Sequence, residues 1–413
     1  LSVISSRLPI GVETMYKPGR KLLIKKMKKI FKILLTYLLF SFNTYVFSNE
    51  NNNENLLKIG VLAPFSGELK YLGETVLYSV NLALHDINNK SIKVFPKDSG
   101  SNAEKLKESC KEFREEGVKI IIGPVDSSSI NYLKEFNDLI FLSLSNINTI
   151  SKSNVIMMGI NLESQLVAIN KFIKKNNKKK KIVLYPNNIF SKHVEKNLNL
   201  INISNKRLFK YSEDPKRLTS QIEKITNYKQ RKINLETRVK QLEKSDLNKD
   251  IRELNLLKQK HTLGKVNFDS IIIIDFGNGL KSVLTSLAYT DVLEKDVLII
   301  ASNQWFDESI LNETSINNFY FPSVNFKNLK DFRTRFKEAY NYKPNEIALL
   351  SYDAVGLIYY IWKKNVKINS TKDFNLKSEI KGKIGKFKIL DNKVMQNLDI
   401  YRLKDKNFIK NNL

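Results

Sequence analysis

Few side chains in this 413-residue chain could carry covalent chemistry. His85, His193 and His261 are its only histidines and Cys110 its only cysteine. The histidines fall on separate expected helices, and no pair of them has metal-ligand spacing. A lone cysteine makes neither a metal cluster nor an internal disulfide. No Gly-Lys-Ser/Thr phosphate loop and no Gly-x-Ser-x-Gly nucleophile frame occurs. Asp98 and Asp353, at expected strand or helix ends, are acid–base candidates, but capping or cleft lining suits them better. The reading is therefore non-enzymatic, with no catalytic residue, no metal and no cofactor. Binding chemistry remains. The loops Pro64-Phe65-Ser66-Gly67 and Gly123-Pro124-Val125-Asp126-Ser127-Ser128-Ser129 carry short hydroxyls that let donors approach a polar or anionic group closely.

The elements around these loops give them a place. The apolar strand IGVLAPFSG runs into the helical stretch YLGETVLYSVNLALHDI. IKVFPKDSG leads to a second helix and then to EGVKIIIGPVDSSS. Strand–loop–helix units of this kind build a parallel α/β layer. Both loops then lie at the carboxyl edge of the sheet, where open α/β folds bind ligands. The rhythm continues through LIFLSLS, VIMMGI, KIVLYP, SIIIIDFG and DVLIIASNQW, with helices expected near 130–137, 163–175, 191–200 and 280–288. Near-continuous apolar runs suit parallel strands covered on both faces. The length favours two doubly wound lobes over one very large sheet.

One segment breaks the rhythm. Residues 228–262 are highly charged and lack Pro and Gly up to His261. Leu235, Val239 and Leu242 are spaced as a helical stripe, and Ile251, Leu254 and Leu257 continue it after a Ser245-Asp246 cap. This reads as an inserted helical hairpin or short coiled coil. Two roles stay open, a surface excursion and a docking arm for a protein partner. Deleting Tyr228 to His261 is expected to leave the folded body intact.

Residues 1–48 read as an upstream extension and signal peptide. Lys25, Lys26, Lys28, Lys29 and Lys32 precede an apolar run from Ile33 to Phe47 that ends in Val46-Phe47-Ser48. Thr36, Ser41, Asn43 and Thr44 leave too little apolar length for a good membrane span. No cysteine follows the expected cleavage point, which argues against a lipid anchor. The expectation is an exported, soluble periplasmic protein with no stable span after cleavage. Nine Lys or Arg and one Glu lie in residues 1–48, so the remainder keeps +19 of the total +27. That charge is spread rather than gathered with aromatics on one face, which argues against nucleic acid as a partner.

In order along the chain, IGVLAPFSGELKYLGETVLYSVNLALHDIN, KDSGSNAEKLKESCKEFREEGVKIIIGPVDSSS, DFRTRFKEAYNYKPNEIALLSYDAVGLIYYIW and GKIGKFKIL with LDIYRL resemble the leucine-binding-protein family of type I periplasmic binding proteins. The likeness is nearest to the penicillin-binding-protein activator branch. It implies an α/β fold of two doubly wound lobes joined by three crossovers. Residues 57–160 and 324–375 would form the first lobe, 161–323 and 376–408 the second.

The resemblance also implies a ligand site between the lobes. By position Ser127, Ser128, Ser145 and Asn146 would hold a ligand carboxylate, with Ser66 in the neighbouring loop. A helix cap at Asp126 to Ser129 is the alternative for the Ser run. On the second lobe Phe190 would cap the ligand. The family's acid for the ligand ammonium is missing from Ser302-Asn303-Gln304-Trp305, so Asp275 or Asp307 would have to replace it. Gln304 and Trp305 remain candidate ligand contacts. An ammonium buried without a paired carboxylate is costly, which weakens ordinary amino-acid capture. The implied role is a regulator of cell-wall synthesis that binds a synthase. The alternative is the solute-binding subunit of an ABC importer for branched-chain or other amino acids, docking on a permease.

Overall fold

Short runs of Ile, Val and Leu decide where the strands lie. The computed structural model describes residues 56–100, 102–147, 153–303 and 318–411. In it, β1 (Leu57–Ala63), β2 (Ile92–Asp98), β3 (Ile120–Ile122), β4 (Ile140–Ser143) and β5 (Val155–Met157) pair in parallel in the order β5-β4-β3-β1-β2. A second parallel set, β6 (Lys181–Pro186), β7 (Lys206–Tyr211), β8 (Ser270–Ile273), β9 (Leu298–Ala301) and β10 (Phe319–Ser323), runs in the order β10-β9-β8-β6-β7. The interior strands β3, β4, β6, β8 and β9 are buried along their whole length. Helices on both faces require that. The edge strands β2 and β7 are only partly buried, and β2 tolerates Pro96 because one side needs no ladder donor.

Each sheet sits between two helical layers. Helices Lys70–Ile87, Phe326–Tyr340 and Ile347–Asn365 close one face of the first sheet around Val76, Val80, Phe332, Phe336, Val355 and Ile358. Helix Ala103–Glu115 and a short 3-10 helix, Ser129–Glu135, close the other through Leu106, Phe113, Ile130 and Leu133. On the second sheet, helices Pro215–Ile225 and Gly277–Tyr289 pack one face, and Leu162–Lys175 with Ser191–Ile201 the other. This is a mixed α/β fold of two doubly wound lobes.

The last third of the chain departs from the expected boundaries. The resemblance places residues 376–408 in the second lobe. Instead β11 (Ile380–Lys381), β12 (Lys386–Leu390) and β13 (Lys393–Asn397) extend the first sheet beside β5. Only β14 (Asp399–Lys404) and β15 (Asn407–Asn411) join the second, antiparallel to β10. The chain thus changes sheets after Met157, after Ser323 and at Leu398. The reason is the alternation in KFKIL and KVMQN, which buries Phe387, Ile389 and Val394 against the first core.

Three local corrections follow. The edge strand Lys206–Tyr211 and helix Pro215–Ile225 did not stand out as apolar runs. The charged insertion forms helices Tyr228–Leu242 and Asn248–Leu257 around Leu235, Leu242 and Leu257, with Val239 and Leu254 against them. Ile251 is exposed, and Leu247, rather than Ser245-Asp246, stands at the start of the second helix. His261 lies beyond both helices, in the connection back to the lobe. The expected signal segment lies outside the described residues. Among the described residues no helix is long and apolar enough to cross a membrane.

Candidate functional site

The first-lobe loops use most of their polar groups on themselves. Asp98, at the end of β2, accepts the Phe65 N–H at 2.8 Å and the Gly100 N–H at 2.9 Å on one oxygen, and the Ser66 hydroxyl at 2.6 Å on the other. Burial alone would raise its carboxyl. The hydrogen bonds from Ser66, Gly100 and Phe65 outweigh burial and hold it below the ordinary carboxylate range. Asp98 is therefore a loop-fixing carboxylate. Gly73 serves the same corner, because a Cβ there would overlap the Pro64 carbonyl oxygen.

Asp126 performs the cap that the Ser run offered. Its carboxylate accepts the Ser128 hydroxyl at 2.6 Å, the Ser129 hydroxyl at 2.7 Å and the Ser129 N–H at 2.8 Å, opening the 3-10 helix. Ser145 is buried, and its hydroxyl accepts the Ile147 N–H at 3.2 Å. Gly159 lies against this turn, where a Cβ would overlap the Ser145 carbonyl.

A cavity of about 530 Å³ opens instead over the carboxyl ends of β7, β6, β8 and β9, the ligand edge of a parallel sheet. Asn146 and Ile147 are its first-lobe contribution, and Ile160, Leu162 and Gln165 come from the first crossover. Pro186, Asn188, Phe190, His193 and Val194 follow β6. Tyr211, Glu213, Pro215 and Leu218 follow β7, and Ile274, Asp275, Phe276, Asn278, Gly279 and Ser282 follow β8. Ser302 and Asn303 close the end of β9.

Asp275 is the most constrained polar group in this wall. One oxygen accepts the Phe276 N–H at 2.8 Å and the other accepts the Tyr211 hydroxyl. Burial raises its carboxyl above the ordinary range, the Tyr211 and Phe276 bonds work against that, and Glu213 adds a raising repulsion. Gly279 is required beside it, since a Cβ there would overlap the carboxylate. Burial pushes the Tyr211 phenol far up, with Asp275 reinforcing the effect. Burial also lowers the His193 imidazole, assisted by Lys196.

The rim is equally ordered. Asn188 donates to Glu213 at 2.8 Å and accepts the Phe190 N–H at 3.0 Å. Ser191 bonds the Pro186 carbonyl at 2.9 Å. Gln165 and Asn303 exchange two bonds of 2.7 Å, tying the first crossover helix to the end of β9.

Of the residues expected from sequence, Asn146, Phe190 and Asp275 line this cavity. Ser66, Ser127, Ser128 and Ser145 do not, and the hydroxyls of Ser66, Ser128 and Ser145 are engaged in their own loops. Gln304, Trp305 and Asp307 lie outside the described residues. Tyr211, Glu213, Gln165 and His193 were missed, because they are brought to the cavity only by elements that are neighbours in space but remote in sequence. The position of Tyr211 at the end of KRLFKY was the available signal.

The described lining offers hydrogen-bond acceptors and apolar walls. Among the described residues no group of three or more His, Cys, Asp or Glu could hold a metal ion. Cys110 is buried, and burial pushes its thiol up to about 12, an inert form.

A family model described as periplasmic binding protein matches residues 57–200. Comparison with curated proteins finds no match. Among solved structures, the C-domain of LpoA from Haemophilus influenzae, a regulator of PBP1A, superposes with a TM-score of 0.59 at 14% identity, covering 86% of this chain and 99% of that one. The branched-chain amino acid binding protein LivJ of Streptococcus pneumoniae, in complex with isoleucine, gives 0.54 at 17% identity with 86% and 99% covered. A substrate-binding protein of an ABC transporter from Desulfitobacterium hafniense, in complex with Leu, gives 0.58 at 15% identity with the same coverage. The chain has a type I periplasmic-binding-protein-like fold.

Proposed function

We propose that this chain is an exported, non-enzymatic two-lobed binding protein that regulates a cell-wall synthase, in line with its likeness to the Haemophilus protein described as a regulator of PBP1A, rather than supplying an importer with amino acids. One observation carries the reading. The hydroxyls of Ser128 and Ser129, in the run that would hold an α-carboxylate, donate instead to Asp126. The Asp126 carboxylate lies among them, where a second carboxylate would meet like charge. Regulation would work through lobe closure, a shift between open and closed forms set by whichever partner prefers one of them.

The test has two arms. The purified protein is expected to co-purify with a cell-wall synthase and raise its turnover, and leucine or isoleucine is expected to leave its melting temperature unchanged. A leucine-induced rise in melting temperature that disappears in Ser127→Ala would replace this reading with the importer.

A further inference from the structure

The cavity over the second sheet has a chemical bias of its own. Its described lining carries the carboxylates of Asp275 and Glu213 and neither lysine nor arginine. Asp275 is fixed on both oxygens by single donors, the Phe276 N–H and the Tyr211 hydroxyl. A carboxylate has about four acceptor positions, so each oxygen keeps capacity for a further donor. The apolar lining includes Phe190, Val194, Leu218, Ile274 and Phe276, and Phe190 and Phe276 are 40% and 47% exposed. Aromatic faces also attract a cation. The volume of about 530 Å³ falls in the range of small-ligand sites, roughly 300–1,000 Å³.

We propose that this cavity binds an apolar amine, one ammonium group on an aliphatic or aromatic body, without a carboxylate. Asp275 receives the ammonium, Glu213 adds field at the rim, and the phenyl rings with Leu218 and Ile274 cover the body. A zwitterionic amino acid is disfavoured because its carboxylate would find no cation in the described lining. His193 does not supply one, since burial lowers its imidazole below the usual value. The proposal rests on the binding-protein reading, not on the choice of synthase as partner.

The probes are 2-phenylethylamine, phenylalanine and 3-phenylpropionate, which share one ring and chain length, with n-hexylamine as the aliphatic case. Binding is measured by calorimetry and thermal shift on the purified protein at millimolar probe. At least one amine is expected to bind, at least tenfold more tightly than phenylalanine, with no response to 3-phenylpropionate. Asp275→Asn should weaken the amine more than tenfold and Glu213→Gln severalfold. The unliganded melting curve of each variant shows whether it is folded, and Glu213→Gln, at an exposed site, keeps the test open if Asp275→Asn is not. Equal binding of phenylalanine, undiminished amine binding in folded Asp275→Asn, or no binding by either amine would overturn the proposal. Amine failure with synthase stimulation intact would sink this inference alone. Stimulation failure with amine binding intact would sink only the regulator reading.

Discussion

Replacing Arg231 with alanine tests whether the helical pair at 228–257 is rooted in the second lobe or only projects from it. The Arg231 side chain is 8% exposed. Its guanidinium donates to the Gly264 carbonyl at 3.1 Å, the Thr290 carbonyl at 3.0 Å, the Asp291 carbonyl at 3.0 Å and the Thr262 hydroxyl at 2.7 Å. Thr290 and Asp291 follow the end of helix Gly277–Tyr289, so the cation supplies donors to the carbonyls just past a helix C-terminus. The Asp291 carboxylate is 4.0 Å away and instead accepts the Thr262 hydroxyl at 2.6 Å.

Truncation leaves these acceptors inside the lobe without their donor. Hydrogen bonds to a charged group contribute roughly 1.5–3 kcal/mol each, and partial rehydration caps the sum, so the expected cost is about 3–5 kcal/mol. For a lobe of this size that is a melting-temperature drop of roughly 6–20 °C. Arg231→Lys keeps a charge but loses the planar fork, and should recover less than half. Urea unfolding followed by circular dichroism gives the free energy, and limited proteolysis shows where the chain opens. A cost for Arg231→Ala below about 1 kcal/mol would refute the anchoring argument. Replacing residues 233–260 by a short Gly-Ser linker retains Arg231, Thr262 and Gly264 and should cost less than the single substitution. The expectation that all of Tyr228 to His261 can be removed harmlessly is revised accordingly, since that deletion takes Arg231 with it.

Two further outcomes are expected. Asp353 is buried, accepts the Lys383 and Ile384 N–H groups at 2.7 and 2.9 Å, and burial pushes its carboxyl up to about 6. A raised folded value means its contribution to stability is full below the unfolded value near 3.8 and is lost as pH rises through 6. The wild type should therefore gain on the order of 2–3 kcal/mol relative to Asp353→Asn between pH 7 and pH 4; a flat difference in urea midpoints over that window would contradict it. Gly73→Ala should cost roughly 1–3 kcal/mol, because the added methyl displaces the Pro64 carbonyl and with it the loop held by Asp98. Unchanged thermal unfolding would show that the loop yields at no cost.

Much of the architecture was legible because its signal is local. Strands such as SIIII and KIVLYP are apolar on both faces, so periodicity and turn residues alone place them in a covered parallel sheet. The strand KRLFKY escaped that reading because an edge strand needs no such run, although Asp214 as N-cap and Pro215 in the first turn mark the helix that follows it. The candidate site was less legible. Ser66 and Ser128 have the right chemistry for a ligand, yet Asp98 and Asp126 take their hydroxyl donors. Asp275 and Tyr211 are 64 residues apart and meet only because β7, β6 and β8 are neighbours.

The sequence by itself determined the two-lobed α/β plan, since burial of apolar runs on both faces of a sheet is a requirement each segment states for itself. It also determined that no cysteine pair or phosphate loop is present, which is a matter of inventory. Tertiary structure alone decided which sheet the strands between Ile380 and Asn397 extend, which hydroxyls remain available to a ligand, and that an acid faces the cavity. Those outcomes depend on hydrogen bonds and packing between residues far apart in the chain, and a hydrogen-bonding group is committed only when its partner arrives.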